Sequence, residues 1–143
     1  TIRDGDGPFV AAMAHRFGSG RSGSIDNWHQ GRGGLNAPID PARGMLGRAV
    51  TLGAGGRLLD FARHPDTGAD IEGVAIPGLD RALGGLLDAA RCLPEAPLIG
   101  WDVLMTDDGY SILEANSPPG ISVWQVHAPL FADPRVERFF RAG

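Results

Sequence analysis

Lysine is absent from this chain of 143 residues, and all thirteen of its cationic side chains are arginine. The net charge is −4, so the sequence does not suggest the basic patch that a nucleic-acid partner would favour. Cysteine occurs once, at Cys92, which excludes an internal disulfide bond; its apolar surroundings predict a place in the core. No apolar run approaches the ~20 residues of a membrane helix and no secretory signal is recognisable, so we expect a cytoplasmic setting with no membrane partner.

The most informative part of the sequence holds two runs rich in apolar and β-branched residues, Leu98–Thr106 and Tyr110–Leu113. The turn signal Asp107-Asp108-Gly109 lies between them. This pattern predicts a β-hairpin. Two acids, Asp102 and Glu114, interrupt its otherwise apolar strands.

The length of the turn decides whether these two acids meet. A three-residue turn, with its glycine in the left-handed conformation, pairs Thr106 with Tyr110. The same register places Asp102 directly opposite Glu114, with their Cβ atoms about 5 Å apart. A two-residue turn would instead place Asp102 opposite Ala115 and direct Glu114 to the other face. We predict the three-residue turn.

Two facing carboxylates repel each other unless a cation lies between them. Asn116 is two residues beyond Glu114, so it shares the face of Glu114 if the strand continues. Carboxylate and amide oxygens are hard ligands that suit Mg²⁺ together with water and phosphate oxygens. Asp102, Glu114 and Asn116 are therefore the candidate metal ligands. The alternative is a solvent-facing strand with scattered acids, although the apolar neighbours leave only one polar face.

The glycine-rich stretch 18–34 predicts a loop. Glycine lets backbone N–H groups approach anionic oxygens closely, and the guanidinium of Arg32 could pair with a carboxylate or a phosphate. A flexible linker is the alternative, but a plain glycine–serine linker would lack Asn27 and His29. We interpret His29 as a substrate contact or a hydrogen-bonding residue, because no second His or Cys stands at metal-ligand spacing. The candidate binding residues of this loop are Asn27, Gly31, Arg32, Gly33 and Gly34.

The remaining pattern predicts an α+β domain with a mostly antiparallel sheet and helices packed on one of its faces. The clearest helix is Leu79–Leu93, whose apolar residues recur at helical spacing and which two prolines follow. Shorter helices are predicted at Val123–Phe131 and Arg135–Arg141. We treat residues 1–143 as a single domain.

The sequence resembles a known family at several of these points. Gly100-Trp101-Asp102-Val103 followed by Ile112-Leu113-Glu114-Ala115-Asn116 is similar to the metal-binding end of the ATP-grasp superfamily. There an Asp, a Glu and an Asn two residues later hold Mg²⁺ against the phosphates of ATP. The branch that it resembles most is that of sugar-transfer-associated ATP-grasp proteins, from Arg3 through Pro134. Residues 25–34 resemble the asparagine-containing, glycine-rich signature of this branch, and Arg63–Gly68 resembles its His-Pro-x-Thr-Gly element, a turn.

The resemblance implies the C-terminal ATP-grasp subdomain and an ATP-dependent carboxylate–amine (or carboxylate–thiol) ligase. ATP would convert a small-molecule carboxylate into an acyl phosphate, which a nucleophile would then attack. Asn27 and Arg32 would hold phosphate or the acyl intermediate. Arg3 resembles an arginine that faces the active site in the family, with a solvated strand-end cation as the alternative. The ligands of Mg²⁺ (or Mn²⁺) would be Asp102, Glu114 and Asn116.

Two other classes of function stay open. Full-length members of the family carry an earlier subdomain with phosphate-binding lysines, so we expect this chain to be the C-terminal part of a longer protein, with an N-terminal subdomain missing. The first alternative is a non-catalytic small-molecule or partner-binding domain that lacks the nucleotide-binding half. The second is a hydrolase that uses Asp102 and Glu114 as an acid–base pair, but it leaves Asn116 and the glycine-rich loop unexplained.

Overall fold

The computed structural model describes residues 1–23, 26–28 and 33–142. Within these ranges the chain forms two compact units. We call the first, made of Thr1–Ala12, Pro77–Ile121 and residues 128–142, the hairpin unit. We call the second, made of Met13–Ile76 and Ser122–His127, the sheet unit. The expectation of a single domain over residues 1–143 stays a prediction.

The described residues form nine strands and three α-helices, and every pair of neighbouring strands is antiparallel. This mixture of helices and antiparallel sheets confirms the α+β expectation. The strands are β1 (Ile2–Asp4), β2 (Gly7–Phe9), β3 (Ala14–Phe17), β4 (Leu35–Asp40), β5 (Met45–Leu46), β6 (Ala49–Leu52), β7 (Leu58–Phe61), β8 (Gly100–Thr106) and β9 (Gly109–Asn116). The helices are α1 (Leu79–Arg91), α2 (Ser122–Gln125) and α3 (Pro134–Ala142).

The sheet unit is built on four strands in the order β3-β4-β6-β7, and β5 pairs with the far end of β4. Side chains alternate between the two faces of β4. Leu35 and Ala37 project into the core of the unit, which Leu46, Ala49 and Ile71 complete. Asn36 projects from the opposite face and is fully buried as well.

The hairpin unit is organised around α1 and the β8–β9 hairpin. Ala82, Leu86 and Ala90 are spaced four residues apart along α1 and form its buried stripe. Met105 and Tyr110, a cross-strand pair of the hairpin, face the helix. Residues on the other face of β8 therefore project away from α1, and Asp102, three positions from Met105, is one of them.

The predicted helices lie where the sequence places them, with different bounds. The prediction for Leu79–Leu93 is confirmed over Leu79–Arg91, but Cys92, which follows, is exposed and not in the core. The short helix predicted at Val123–Phe131 covers only Ser122–Gln125, and the last helix extends slightly beyond its predicted ends. No helix within the described ranges is long and apolar enough to cross a membrane.

Candidate functional site

The β8–β9 hairpin brings two acids together. Asp102 is paired directly with Glu114 across the two strands, as the sequence predicts. The predicted three-residue turn is wrong, because Thr106 pairs with Gly109 and leaves only Asp107 and Asp108 between the strands.

An extra residue in β9 restores the pairing that a two-residue turn would otherwise lose. Val103 pairs with Ile112 and the next pair is Asp102 with Glu114, so Leu113 has no partner on β8. Such a β-bulge places two residues of one strand against one residue of the other. The two acids therefore share a face of the hairpin in spite of the shorter turn.

The third candidate ligand lies at the end of the same strand. Asn116 pairs with Gly100 and projects from the same face as Glu114, two residues away. Asp102 is half-buried, whereas Glu114 and Asn116 are exposed. Leu113, in the bulge, is 66% exposed, so an apolar side chain stands open to solvent beside the acids. This face is accessible to a ligand from solution.

The donor set suits a hard cation that is shared with a ligand. Among the residues described, no group of three or more His, Cys, Asp or Glu side chains is arranged to hold a metal. Two carboxylates and one amide oxygen do not fill the octahedral shell of Mg²⁺, which usually keeps waters and substrate phosphate oxygens as its other ligands. Asp102, Glu114 and Asn116 therefore fit Mg²⁺ bound together with a phosphorylated ligand.

The glycine-rich loop of the sheet unit is closed on itself near Asn27. Gly34 N–H donates to the carbonyl oxygen of Asn27 at 3.0 Å, and Gly33 N–H donates to that of Trp28 at 3.2 Å. Trp28 is buried and anchors this end of the loop. A Cβ on Gly33 would approach the Asn27 carbonyl oxygen far more closely than the 3.0 Å that real Cβ atoms keep. Gly33 is thus required by the closure of the loop.

These contacts change the expected role of the two glycines. Their backbone N–H groups were expected to approach an anion, but both donate within the loop. The predicted site residues Gly31 and Arg32, together with His29, lie outside the described residues. Asn27 is described and stands at the base of the loop, in the sheet unit, whereas the three candidate metal ligands belong to the hairpin unit.

A family model described as sugar-transfer associated ATP-grasp matches residues 1–138, which is most of the chain. The chain belongs to this family. No curated protein and no solved structure matches it. Membership gives this ATP-grasp chain a function of the general ATP-grasp type, and the hairpin with Asp102 and Glu114 lies within the matched residues.

Arg3 of this ATP-grasp chain binds the end of a helix. Its Nη2 donates to the carbonyl oxygen of Ala90, in the last turn of α1, where a cation also complements the helix dipole. Its Nε is buried and has no hydrogen-bond partner within the described part of the chain. Arg3 therefore lies on the α1 side of the hairpin, whereas Asp102 projects from the opposite side, and the structure does not bring the two together.

The loop that is closed between Asn27 and Gly34, which we call the Asn27 loop, has two further polar residues beside it that the predicted site did not include. Arg16 of β3 forms an ion pair with Asp26 at 3.7 Å and is the cross-strand partner of Asn36. The amide nitrogen of Asn36 donates to the carbonyl oxygen of Val123, and its buried Oδ1 has no hydrogen-bond partner among the residues described. A buried oxygen without a donor is costly, so this atom is a candidate acceptor for a bound water or ligand. In the sequence, Asn36 could have been noticed as a polar residue between the apolar Leu35 and Ala37 of one strand.

Charges near Asp26 also affect the histidine of β3. Burial lowers the pKa of His15, the Asp26 carboxylate acts in the opposite direction, and Arg16 lowers the pKa further. The imidazole of His15 is therefore neutral near pH 7, and its ring packs edge-on against Phe17, with the ring centroids 4.5 Å apart. This histidine serves the packing of the sheet unit.

Proposed function

We propose that this protein is an ATP- and Mg²⁺-dependent ligase of the ATP-grasp type that acts on a small-molecule carboxylate. The γ-phosphoryl group of ATP passes to the carboxylate, which gives an acyl phosphate and ADP. An amine or another nucleophile then attacks the acyl carbon, and inorganic phosphate leaves as the new bond forms. The observation that supports this proposal most directly is the pairing of Asp102 with Glu114, with Asn116 on the same face.

In this proposal the hairpin residues bind the metal ion, and none of them forms a covalent bond with the substrate. Asp102, Glu114 and Asn116 would hold Mg²⁺ (or Mn²⁺), which neutralises the phosphate oxygens of bound ATP. Positioning and charge stabilisation of this kind account for most of the catalysis of phosphoryl transfer. Asn27 and Arg32 would hold the transferred phosphate or the acyl group. Because the strand ladder fixes the backbone of both strands, the two acids already lie opposite each other before the ligand binds.

The decisive variant is Glu114→Gln, because it should have opposite effects on stability and on activity. Removal of one of two facing charges should stabilise the metal-free protein by a few tenths of a kcal/mol, on the scale of cross-strand pairs, so roughly 0.2–0.5 kcal/mol. The same change removes a charged metal ligand, so ADP release from ATP should fall by on the order of 10² or more. Asn116→Ala should lower turnover without stabilising the metal-free fold.

The measurements are thermal melting with and without Mg²⁺ and the rate of ADP release in the intact protein. Asp107→Asn is the matched control, because it removes one exposed acid from the turn of the same hairpin and leaves the pair intact. Near-wild-type turnover in Glu114→Gln would refute the proposal. Binding of ATP with Mg²⁺ but no turnover with any carboxylate would instead favour a non-catalytic binding domain, to which the absence of lysine also points.

A further inference from the structure

The turn at residues 63–70 of the sheet unit is stable through its own hydrogen bonds. Arg63 and Asp70 form a bridge at its base, where the carboxylate of Asp70 also lies 2.9 Å from the Arg63 guanidinium. The N–H of His64 donates to the carbonyl oxygen of Ala69, and the side chain of Thr67 accepts from the N–H of Ala69. Two further side-chain groups of the turn, on His64 and Asp66, are left to contact other parts of the chain.

Both of these groups contact the beginning of the glycine-rich stretch. The Nε2 atom of His64 lies 2.8 Å from the carbonyl oxygen of Gly18. Gly20 N–H donates to Oδ2 of Asp66 at 2.7 Å. Two adjacent points of one backbone segment are thus held by two side chains from a turn 46 residues away. We call this pair of contacts the clamp.

The contacts of His64 define which nitrogen carries the hydrogen when its ring is neutral. A carbonyl oxygen can only accept, so Nε2 must carry the hydrogen that is donated to Gly18. The N–H of Asp66 donates to Nδ1 at 3.3 Å, so Nδ1 must carry the lone pair. In the neutral ring these two contacts select the Nε2–H tautomer, and the ring also packs edge-on against Phe17, with the ring centroids 6.2 Å apart.

The clamped segment is itself compact. Ser19 is buried, its N–H donates to Oγ of Ser22 at 3.0 Å, and that hydroxyl donates back to the carbonyl oxygen of Ser19 at 2.9 Å. A 3-10 turn over Gly20–Ser22 follows directly. Within the described part of the stretch, Gly18 and Gly20 are thus held by the clamp, and Asn27 is held by its hydrogen bond from Gly34.

We propose that His64 and Asp66 are positioning residues that set the position of the Asn27 loop, and do not themselves contact the ligand. This inference rests on the proposed function, in which Asn27 holds phosphate or the acyl group. The clamp determines where the chain leaves β3, and the closed loop that begins near Asn27 follows only a few residues later. Loss of the clamp should therefore weaken ligand binding while the turn and the core stay intact.

Two substitutions of His64 separate these roles. His64→Gln places a donor near the position of Nε2, so it can keep the contact with Gly18 O. His64→Asn places an acceptor near the position of Nδ1, so it keeps the contact within the turn and loses the clamp. On the scale of one lost hydrogen bond, His64→Asn should weaken binding of ATP with Mg²⁺ by about three- to tenfold. His64→Gln should restore most of that affinity.

A second pair of variants tests the other contact independently. Asp66→Asn retains an oxygen that can accept from Gly20 N–H, whereas Asp66→Ala does not, so only Asp66→Ala should weaken binding. Amide hydrogen exchange at Gly20, followed by NMR, should become faster in Asp66→Ala alone. Thr67→Ala is the control, because it loosens the same turn without touching the clamp and should leave affinity unchanged.

The ring nitrogens of His64 provide a readout that a general loss of stability would not change. The nitrogen chemical shifts of the wild-type ring should identify the neutral Nε2–H tautomer. The opposite tautomer, or equal affinities in His64→Asn and His64→Gln, would overturn the clamp. If the intact wild-type protein fails to bind ATP with Mg²⁺, the proposed function fails, while Gly20 exchange and the His64 tautomer still decide whether the clamp exists.

Discussion

Gly85 of α1 lies directly against the hydroxyl group of Tyr110, so a Cβ at this position would overlap the phenol ring. The neighbouring Gly84 is exposed and has no atom within 4 Å of a Cβ built on it. The two adjacent glycines thus differ in role. Gly85 allows the helix to approach the hairpin, whereas no contact in the described structure requires a glycine at position 84. The site depends on this close approach, because α1 supports the face of the hairpin behind Asp102.

The two glycines should respond oppositely to alanine. Gly84→Ala should raise the free energy of unfolding by about 0.5–1 kcal/mol, the usual gain of alanine over glycine in a helix. Gly85→Ala should forfeit that gain and destabilise the protein, because the Tyr110 ring has to move away from the helix. Urea denaturation of both variants measures the difference, and each serves as the control of the other. Equal stabilisation by both substitutions would show that α1 does not press against Tyr110.

The ion pair of Asp4 with Arg135 connects β1 to the beginning of α3, and it should make the stability of the protein depend on pH in the acid range. Nε and Nη2 of Arg135 donate to the two carboxylate oxygens of Asp4 at 2.6 and 2.7 Å, and the guanidinium lies 3.9 Å from the centroid of the Phe9 ring. The hydrogen bonds from Arg135 lower the pKa of Asp4 from 3.8 to about 2. Because the folded-state pKa lies below the ordinary value, the contribution is complete above about pH 4 and is lost as the pH falls through about 2.

Asp4→Asn should therefore lower the melting temperature at pH 7, and the difference from wild type should shrink steadily below pH 4. The asparagine keeps an oxygen that can accept from the N–H of Asp6, so the turn between β1 and β2 is preserved. Asp88→Asn is the control, since Asp88 pairs with Arg91 on the exposed surface of α1, where an ion pair contributes little. A difference for Asp4→Asn that stayed constant down to pH 2 would contradict the assigned charge effect.

The sequence predicts which two acids pair, but not how the hairpin pairs them. The predicted pairing of Asp102 with Glu114 is confirmed, but it was derived from a three-residue turn. The actual turn is one residue shorter, and only the bulge at Leu113 restores the pairing. The sequence does not reveal this bulge, because a leucine in a strand can be buried in the core or exposed in a bulge. Cys92 illustrates the same limit, since a helical apolar pattern does not show where the helix stops being covered.

Contacts between distant parts of the chain were the other source of error. His64 and Asp66 read as parts of a local turn, and only the fold shows that they hold Gly18 and Gly20. The glycines of the loop were predicted to bind an anion, because the residue type indicates only that the backbone can approach a ligand closely. It does not show that the N–H groups of Gly33 and Gly34 already have partners. Residue types and local spacing thus predict which groups are present, whereas the partners of those groups depend on how strands and loops meet in three dimensions.

The closure of the Asn27 loop gives the sharpest test of how the glycine-rich stretch works. Gly33→Ala would push a Cβ against the carbonyl oxygen of Asn27, so the hydrogen bonds from Gly33 and Gly34 cannot both survive. Loss of these two bonds should cost about 1–3 kcal/mol of stability. Gly84→Ala is the control, because a Cβ there meets no atom within 4 Å and the residue belongs to α1 of the hairpin unit.

If Asn27 holds the ligand as proposed, Gly33→Ala should also weaken binding of ATP with Mg²⁺, whereas Gly84→Ala should leave it nearly unchanged. Calorimetric titration of both variants with ATP and Mg²⁺, together with melting curves, separates the two effects. A Gly33→Ala protein that is destabilised but binds as tightly as wild type would show that the closed loop only stabilises the sheet unit. The same result would remove Asn27 from the proposed binding site, and the proposed function would then depend on the hairpin acids alone.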